Sequence, residues 1–247
     1  MRQIRALFVD VGWTMAYPRR SMWEIFASLV TEAGVPTAPD ACEHVIRALW
    51  SSGQRHAEEH FRAGARYSDS DEEFTGLFVQ MGQVVFSQLG VGDGHGELIQ
   101  RFLQAFWNEG NWVTFPEVEE VLAAVRARGL RLGVLSNAPS NLPSFLERLR
   151  VAPFLNFSVV SATEGVKKPD RRIFEVALSR AGVAPHEALH VGDMYLEDVV
   201  GGQAAGLNTL LIERGRRALF PNFRESEGRD IDPAMVVNDL REVLDRL

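Results

Sequence analysis

Acids, a hydroxyl and lysines stand where several short apolar runs end. Asp10 closes the run Ile4–Val9, Ser136 and Asn137 close Leu130–Leu135, and Asp193 follows Val191-Gly192. Lys167, Lys168, Pro169 and Asp170 come after another such run, Phe157–Val160. A short apolar run bounded by turn residues reads as a strand buried on both faces of a parallel sheet. In an open sheet of that kind ligands bind beyond the carboxyl ends of the strands, so these residues converge on one rim. Carboxylate, carbonyl and water oxygens suit Mg²⁺, and a lysine with a hydroxyl suits the non-bridging oxygens of a phosphate. The chemistry indicated is a phosphate held together with a divalent cation.

The elements that must position them alternate. Apolar runs at Leu130–Leu135, Phe157–Val160, Ala188–Val191 and Thr209–Ile212 are separated by helical patterns at Pro116–Arg128, Pro143–Arg150, Ile173–Ala181 and Leu196–Ala205, and Met235–Leu247 reads as a closing helix. Gly129, Gly182 and Gly206 sit where helix C-caps belong. Strand alternating with helix predicts an α/β fold with a doubly wound parallel sheet. The first strand breaks the rhythm. Between about residue 16 and residue 114 the patterns are helical only, at Met22–Ala33, Ala41–Trp50, Phe74–Leu89 and Glu97–Trp107. Their punctuation is Gly34-Val35-Pro36, Tyr67-Ser68-Asp69 and Gly90 to Gly94. The expected organisation is a discontinuous Rossmann-like core of residues 1–15 and 115–247 with an inserted all-helical domain, 16–114.

Composition narrows the class. The chain has 247 residues, 46% hydrophobic and 24% charged, with 26 Lys and Arg against 33 Asp and Glu, a net charge of −7. That is ordinary for a folded domain and argues against a nucleic-acid binder that relies on a basic surface. The lone Cys42 excludes an internal disulfide framework and a multi-cysteine zinc site. No apolar run reaches the roughly 18 residues of a membrane span, and the run after Met1-Arg2 is too short for a secretory signal. A cytoplasmic protein without a membrane partner is expected.

Four motifs, in order, resemble those of the haloacid dehalogenase-like (HAD) hydrolase superfamily, subfamily I with a helical cap. They are Asp10-Val11-Gly12-Trp13-Thr14-Met15, Leu135-Ser136-Asn137, Lys168-Pro169-Asp170 followed by Ile173-Phe174, and Val191-Gly192-Asp193 with Asp198 five residues on. The spacer Asn111–Val118 is also similar, most of all to the branch of haloacid dehalogenase-like hydrolase domain-containing protein 3. The resemblance implies that Asp10 attacks phosphorus and forms an aspartyl phosphate, which splits one displacement into two. It implies that Asp10, Asp193 and the carbonyl of Gly12 hold Mg²⁺ with support from Asp198. Ser136 and Asn137 would bind phosphate, Lys168 would neutralise Asp10 and the phosphoryl group, and the insert would be a cap that excludes water. The implied substrate is a small phosphomonoester or acyl phosphate.

The pattern breaks at Gly12. Phosphatases of the superfamily usually carry there a second Asp that protonates the leaving oxygen and later activates water. Glycine keeps the carbonyl and offers no proton. General acid–base catalysis contributes about 10²–10⁴-fold, roughly 3–5 kcal/mol of barrier, so alkyl phosphates should turn over slowly and aryl or acyl phosphates should suffer less. Trp13 stands where the family commonly has glycine. A 2-haloacid dehalogenase also lacks the second acid and uses no metal. Against that reading, Asp193 and Asp198 are kept, and position 12 lacks the aromatic residue of the dehalogenases. A weakly active or inactive ligand-binding protein is the third alternative.

Other residues have plainer readings. His190 lies inside an apolar run and reads as a hydrogen-bonded core histidine. Glu197 reads as part of a solvated face, Arg214, Arg216 and Arg217 as a solvated loop, and Cys42 as inert. Tyr17, Arg19 and Arg20 follow the first motif, where an anionic substrate or an ordinary polar hinge both fit. Asp198 sits where a helix begins, a place acids favour for dipole reasons.

Overall fold

The computed structural model describes residues 3–64, 66–67, 69–92, 95–215, 219–220 and 224–247. Ser68, Asp93, Gly94, Arg216 and Arg217, and the terminal Met1 and Arg2, lie outside the described residues.

Six strands, β1 (Ala6–Val9), β4 (Arg131–Ser136), β5 (Phe157–Val160), β6 (Ala188–Gly192), β7 (Asn208–Ile212) and β8 (Val236–Val237), form one sheet in the order β5-β4-β1-β6-β7-β8. Every pair is parallel. The strand residues are almost all buried, because helices cover both faces and leave no polar alternation. Register sets the rim: Val9 lies beside Val134 and Val191, and Ser136 beside Val160. The residues that follow β1, end β4 and follow β6 therefore emerge close together at one end. Close packing needs a glycine in β4, since a Cβ on Gly133 would sit 2.4 Å from the Phe157 ring, which meets Phe8 edge-on at 5.8 Å.

The helices are α1 (Met22–Glu32), α2 (Pro39–Arg62), α3 (Asp71–Gln88), α4 (Gly96–Phe106), α5 (Val118–Ala127), α6 (Leu142–Arg148), α7 (Ser161–Glu164), α8 (Arg171–Ala181) and α9 (Gly201–Ala204). α5 buries Val118, Val121, Leu122 and Val125, one face at helical spacing. α8 starts on Asp170, whose side chain accepts the Arg172 N–H, and ends on Gly182 at φ 68°. The segment before α9, Tyr195–Val200, is a turn of π-helix, a feature frequent at functional sites.

The chain divides into two compact units, Met1–Tyr17 with Arg66–Asp71 and Thr114–Leu247, and Pro18–Ala65 with Glu72–Val113. Beyond residues 1–15 and 115–247 the first unit includes Ala16, Tyr17, Thr114 and the segment Arg66–Asp71. Hydrogen bonds tie this segment to its own unit: Tyr67 N–H donates to Asp170 Oδ2 at 3.2 Å, Lys167 N–H donates to the Tyr67 carbonyl at 3.2 Å, and Asp71 accepts from the Ser140 N–H and O–H. In the second unit α1 begins with a capping box of Ser21 and Glu24. Its core is aromatic, with Phe26 stacked on Phe102 at 4.0 Å and Trp107 on Trp112 at 5.4 Å.

Four elements depart from the sequence reading. α2 runs on to Arg62 instead of stopping near Trp50. Two three-residue strands, β2 (Ala16–Pro18) and β3 (Trp112–Thr114), pair with each other. The closing helix is absent: Val236-Val237 adds the edge strand β8, and only a 3₁₀ segment, Leu240–Arg246, follows, capped by Asp239. The β-branched valine pair favours extended backbone, and strands of two or three residues are too short to show a period.

Candidate active site

The turn after β1 is tight. The Asp10 N–H continues the ladder to the Val191 carbonyl at 3.0 Å. The Val11 carbonyl accepts from both Met15 and Ala16, and the Trp13 N–H donates to the Ala16 carbonyl at 2.7 Å. Closing this loop puts Trp13 at φ 49°, the left-handed region. A bulky residue there stores strain of order 1–3 kcal/mol, which is the physical reason a glycine suits the position. The Trp13 side chain lines a cavity of about 20 Å³ together with Asp193, Met194, Ile212, Glu213 and Arg214.

Lys168 is the hub. Its side chain is 2% exposed, and Nζ donates to Asp10 Oδ1 at 2.9 Å, to Asp198 Oδ1 at 2.5 Å and to the Leu135 carbonyl at 3.2 Å. An ammonium has three protons, so three acceptors saturate it. Burial alone would lower its pKa, but the two carboxylates outweigh burial and raise it. Asn137 places this lysine: Oδ1 accepts the Lys168 N–H at 2.8 Å and Nδ2 donates to the Lys168 carbonyl at 3.0 Å.

The two carboxylates on Lys168 differ. Asp198 is 1% exposed. Its Oδ1 takes Lys168 and His190 Nε2, the latter at 2.8 Å, and its Oδ2 takes the Met194 N–H at 2.9 Å. Burial would raise its pKa, but Lys168 and His190 hold it well below the usual range. A Cβ on Gly192 would fall 2.1 Å from Asp198 Cγ, so only glycine fits beside it. Asp10, in contrast, is pushed up by burial and by Asp198, against the ammonium of Lys168 and a hydrogen bond with Ser136. Asp193 is raised well above normal by burial and then by the charges of Asp10 and Asp198.

The structure brings Asp10, Ser136, Lys168 and Asp193 to the rim. Asp198 has both oxygens engaged, Oδ1 by Lys168 and His190 and Oδ2 by the Met194 N–H. The Asn137 side chain is engaged by the Lys168 backbone and by Glu197. No group of three or more acids, histidines or cysteines among the described residues forms a metal cluster. The donors left are Asp10, Asp193 and the Gly12 carbonyl. Mg²⁺ is commonly bound through one or two carboxylates and keeps several waters. Two rim carboxyls, both raised by burial and by neighbouring carboxylates, fit such a cation.

Some roles were not visible in the sequence. Glu197 is no solvated side chain: it accepts from Asn137 Nδ2 at 3.0 Å, and burial pushes its pKa up to about 7, against Lys168. His190 is the buried core histidine expected, but its ring also anchors Asp198, with Nδ1 3.2 Å from the Phe8 carbonyl. Arg214 is not in a solvated loop but in a buried ion pair with Glu117 at 2.6 Å. Asp170 caps α8 and binds Arg172, which lowers its pKa to about 2. Burial and then Asp40 push the Cys42 thiol up to about 11, leaving it unreactive. Arg20 donates to Ser28 within the second unit, and Tyr17 packs on Phe115 at 4.7 Å.

A parallel sheet in this strand order, with an acid after β1 joined to a buried lysine and a second acid after β6, defines a hydrolase of the HAD class. The chain belongs to the haloacid dehalogenase-like hydrolase family, whose model matches residues 13–206. Among relatives, haloacid dehalogenase-like hydrolase domain-containing protein 3 of Homo sapiens is 30% identical over 91% of this chain and 87% of its own. Phosphoserine phosphatase of Thermus thermophilus is 36% identical over 61% of this chain and 58% of its own. Among solved structures, a predicted phosphoglycolate phosphatase from Haemophilus somnus aligns at TM-score 0.70 and 17% identity, over 100% of this chain and 99% of its own. A defluorinating L-2-haloacid dehalogenase aligns at 0.71 and 18%, over 100% and 96%. The two structural likenesses share the fold with this chain. No helix among the described residues is long and apolar enough to cross a membrane.

Proposed function

We propose that the protein is a Mg²⁺-dependent phosphatase of small phosphorylated metabolites, with residues 1–15 and 115–247 as catalytic core and 16–114 as cap. The observation that carries this reading is the pairing of an over-charged rim with a saturated lysine. Burial and then Asp198 raise Asp10, and burial and then the charges of Asp10 and Asp198 raise Asp193, while Lys168 holds Asp10 at 2.9 Å. A metal-free dehalogenase has no use for the second raised acid at Asp193.

In this reading Asp10, Asp193 and the Gly12 carbonyl hold the cation, which supplies positive charge to the phosphoryl oxygens when bound. An Asp10 oxygen attacks phosphorus, the bond to the leaving oxygen breaks, and an aspartyl phosphate remains; water then cleaves it to inorganic phosphate. Lys168 orients Asp10, and the Ser136 hydroxyl donates to a phosphoryl oxygen. With glycine at position 12 the leaving oxygen takes its proton from water, so activity on alkyl phosphates is modest. The test is Mg²⁺-dependent release of phosphate from p-nitrophenyl phosphate, with a fall of about 10³-fold or more in kcat for Asp10→Asn. No turnover by the wild type with or without Mg²⁺ sinks the proposal, and EDTA-insensitive halide release from a 2-haloacid replaces it with the dehalogenase.

A further inference from the structure

The Arg214 side chain is 3% exposed, and its guanidinium joins three stretches of chain that are far apart in sequence. Nη1 donates to Glu117 Oε1 at 2.6 Å, and Glu117 is itself 4% exposed. Nη2 donates to the Thr14 carbonyl, inside the turn that follows Asp10. The guanidinium carbon lies 3.8 Å from the centroid of the Phe115 ring, within the range of a cation–π contact. The Phe115 N–H in turn donates to the Met15 carbonyl at 2.9 Å. Thr14 is fully buried, and its hydroxyl has no hydrogen-bond partner among the described residues. The turn is therefore held from outside, by Arg214 and by the segment Phe115–Glu117.

That turn needs holding. It contains Trp13 at φ 49°, and a residue in a sparsely populated region persists only where its surroundings over-determine it. We propose that Arg214 is a positioning residue that clamps the turn after Asp10, fixing the Asp10 carboxylate and the Gly12 carbonyl through Thr14. The rigid guanidinium serves Glu117 and Thr14 from two separate nitrogens in one plane, whereas a lysine would have to reach both acceptors from a single nitrogen. The consequence for turnover rests on the phosphatase reading; the clamp itself does not.

The experiment compares wild type with Arg214→Met/Glu117→Gln, which removes both buried charges together and leaves neither stranded. Amide exchange at Met15 and Ala16 is read against exchange in the strand Ala6–Val9, alongside p-nitrophenyl phosphate kinetics. The expected result is exchange at least tenfold faster at Met15 and Ala16, unchanged in the strand, with kcat down at least tenfold and KM within twofold. Arg214→Lys, which keeps a cation opposite Glu117, is the second variant and shows the same pair of changes at smaller size. Unchanged exchange at Met15 and Ala16 in either folded variant overturns the clamp, whatever the kinetics. Faster exchange with unchanged kcat overturns the positioning role. A wild type without turnover counts against the phosphatase reading alone, and the exchange data still decide the clamp.

Discussion

The two sides of Lys168 are built differently. On the inner side Asp198, His190 and the Met194 N–H form a closed set in which every carboxylate oxygen has a partner. On the outer side Asp10 and Asp193 share less positive charge than they carry, and both are raised. Buried polar groups are normally satisfied, so the closed side reads as construction and the strained side as the place where a ligand completes the structure. Asp193 on the outer side and Asp198 on the inner side stand five residues apart in one motif. The distinction lies in geometry: Gly192 lets Asp198 fold back under the strand end, while Asp193 stays on the rim.

The comparison can be broken at several points. Asp198→Asn strips the inner set of its anion and leaves Lys168 with Asp10 alone; breaking a buried pair typically costs about 3–5 kcal/mol, read by urea denaturation. A loss under 1 kcal/mol would mean the inner side is not structural. On the outer side, a Cβ at Gly12 meets nothing within 4 Å, so there is room to restore the usual acid. Gly12→Asp should raise kcat on alkyl phosphates by about 10–100-fold and on aryl phosphates by less; equal or no gain on both would show that proton supply does not limit the rate. Glu197 sharpens the boundary between the sides. Its folded pKa is about 7 against an ordinary 4.5, so between those values the folded protein keeps a proton that the unfolded chain has released. Stability therefore falls as pH rises through that window. Glu197→Gln should flatten that slope by on the order of 2 kcal/mol, measured by denaturation at roughly pH 5 and 7.5. An identical slope in both proteins would place Glu197 in solvent.

How much of this was legible beforehand follows from the kinds of signal involved. The runs that became β1, β4, β5, β6 and β7 are buried on both faces, so they stand out as continuous apolar stretches, and their ends name Asp10, Ser136 and Asp193 directly. β8 is two residues long and carries no period. The role of Asp198 was hidden because an acid at a helix start looks the same whether it caps, binds a metal or supports a lysine. Glu197 looked like any charge on a helical face. The pair Glu117–Arg214 spans 97 positions, and Tyr67–Asp170 spans 103; such contacts arise only once the sheet has brought its loops to one rim. Where two residues of one type do different work, only partners and burial separated them.

The central proposal is that Asp193 would face the cation and Asp198 would not. Isothermal titration of Mg²⁺ into folded wild type, Asp193→Asn and Asp198→Asn tests it directly. The account predicts that Kd weakens at least about tenfold, roughly 1.4 kcal/mol, in Asp193→Asn and changes less than about threefold in Asp198→Asn; equal weakening in both, or loss confined to Asp198→Asn, would contradict it.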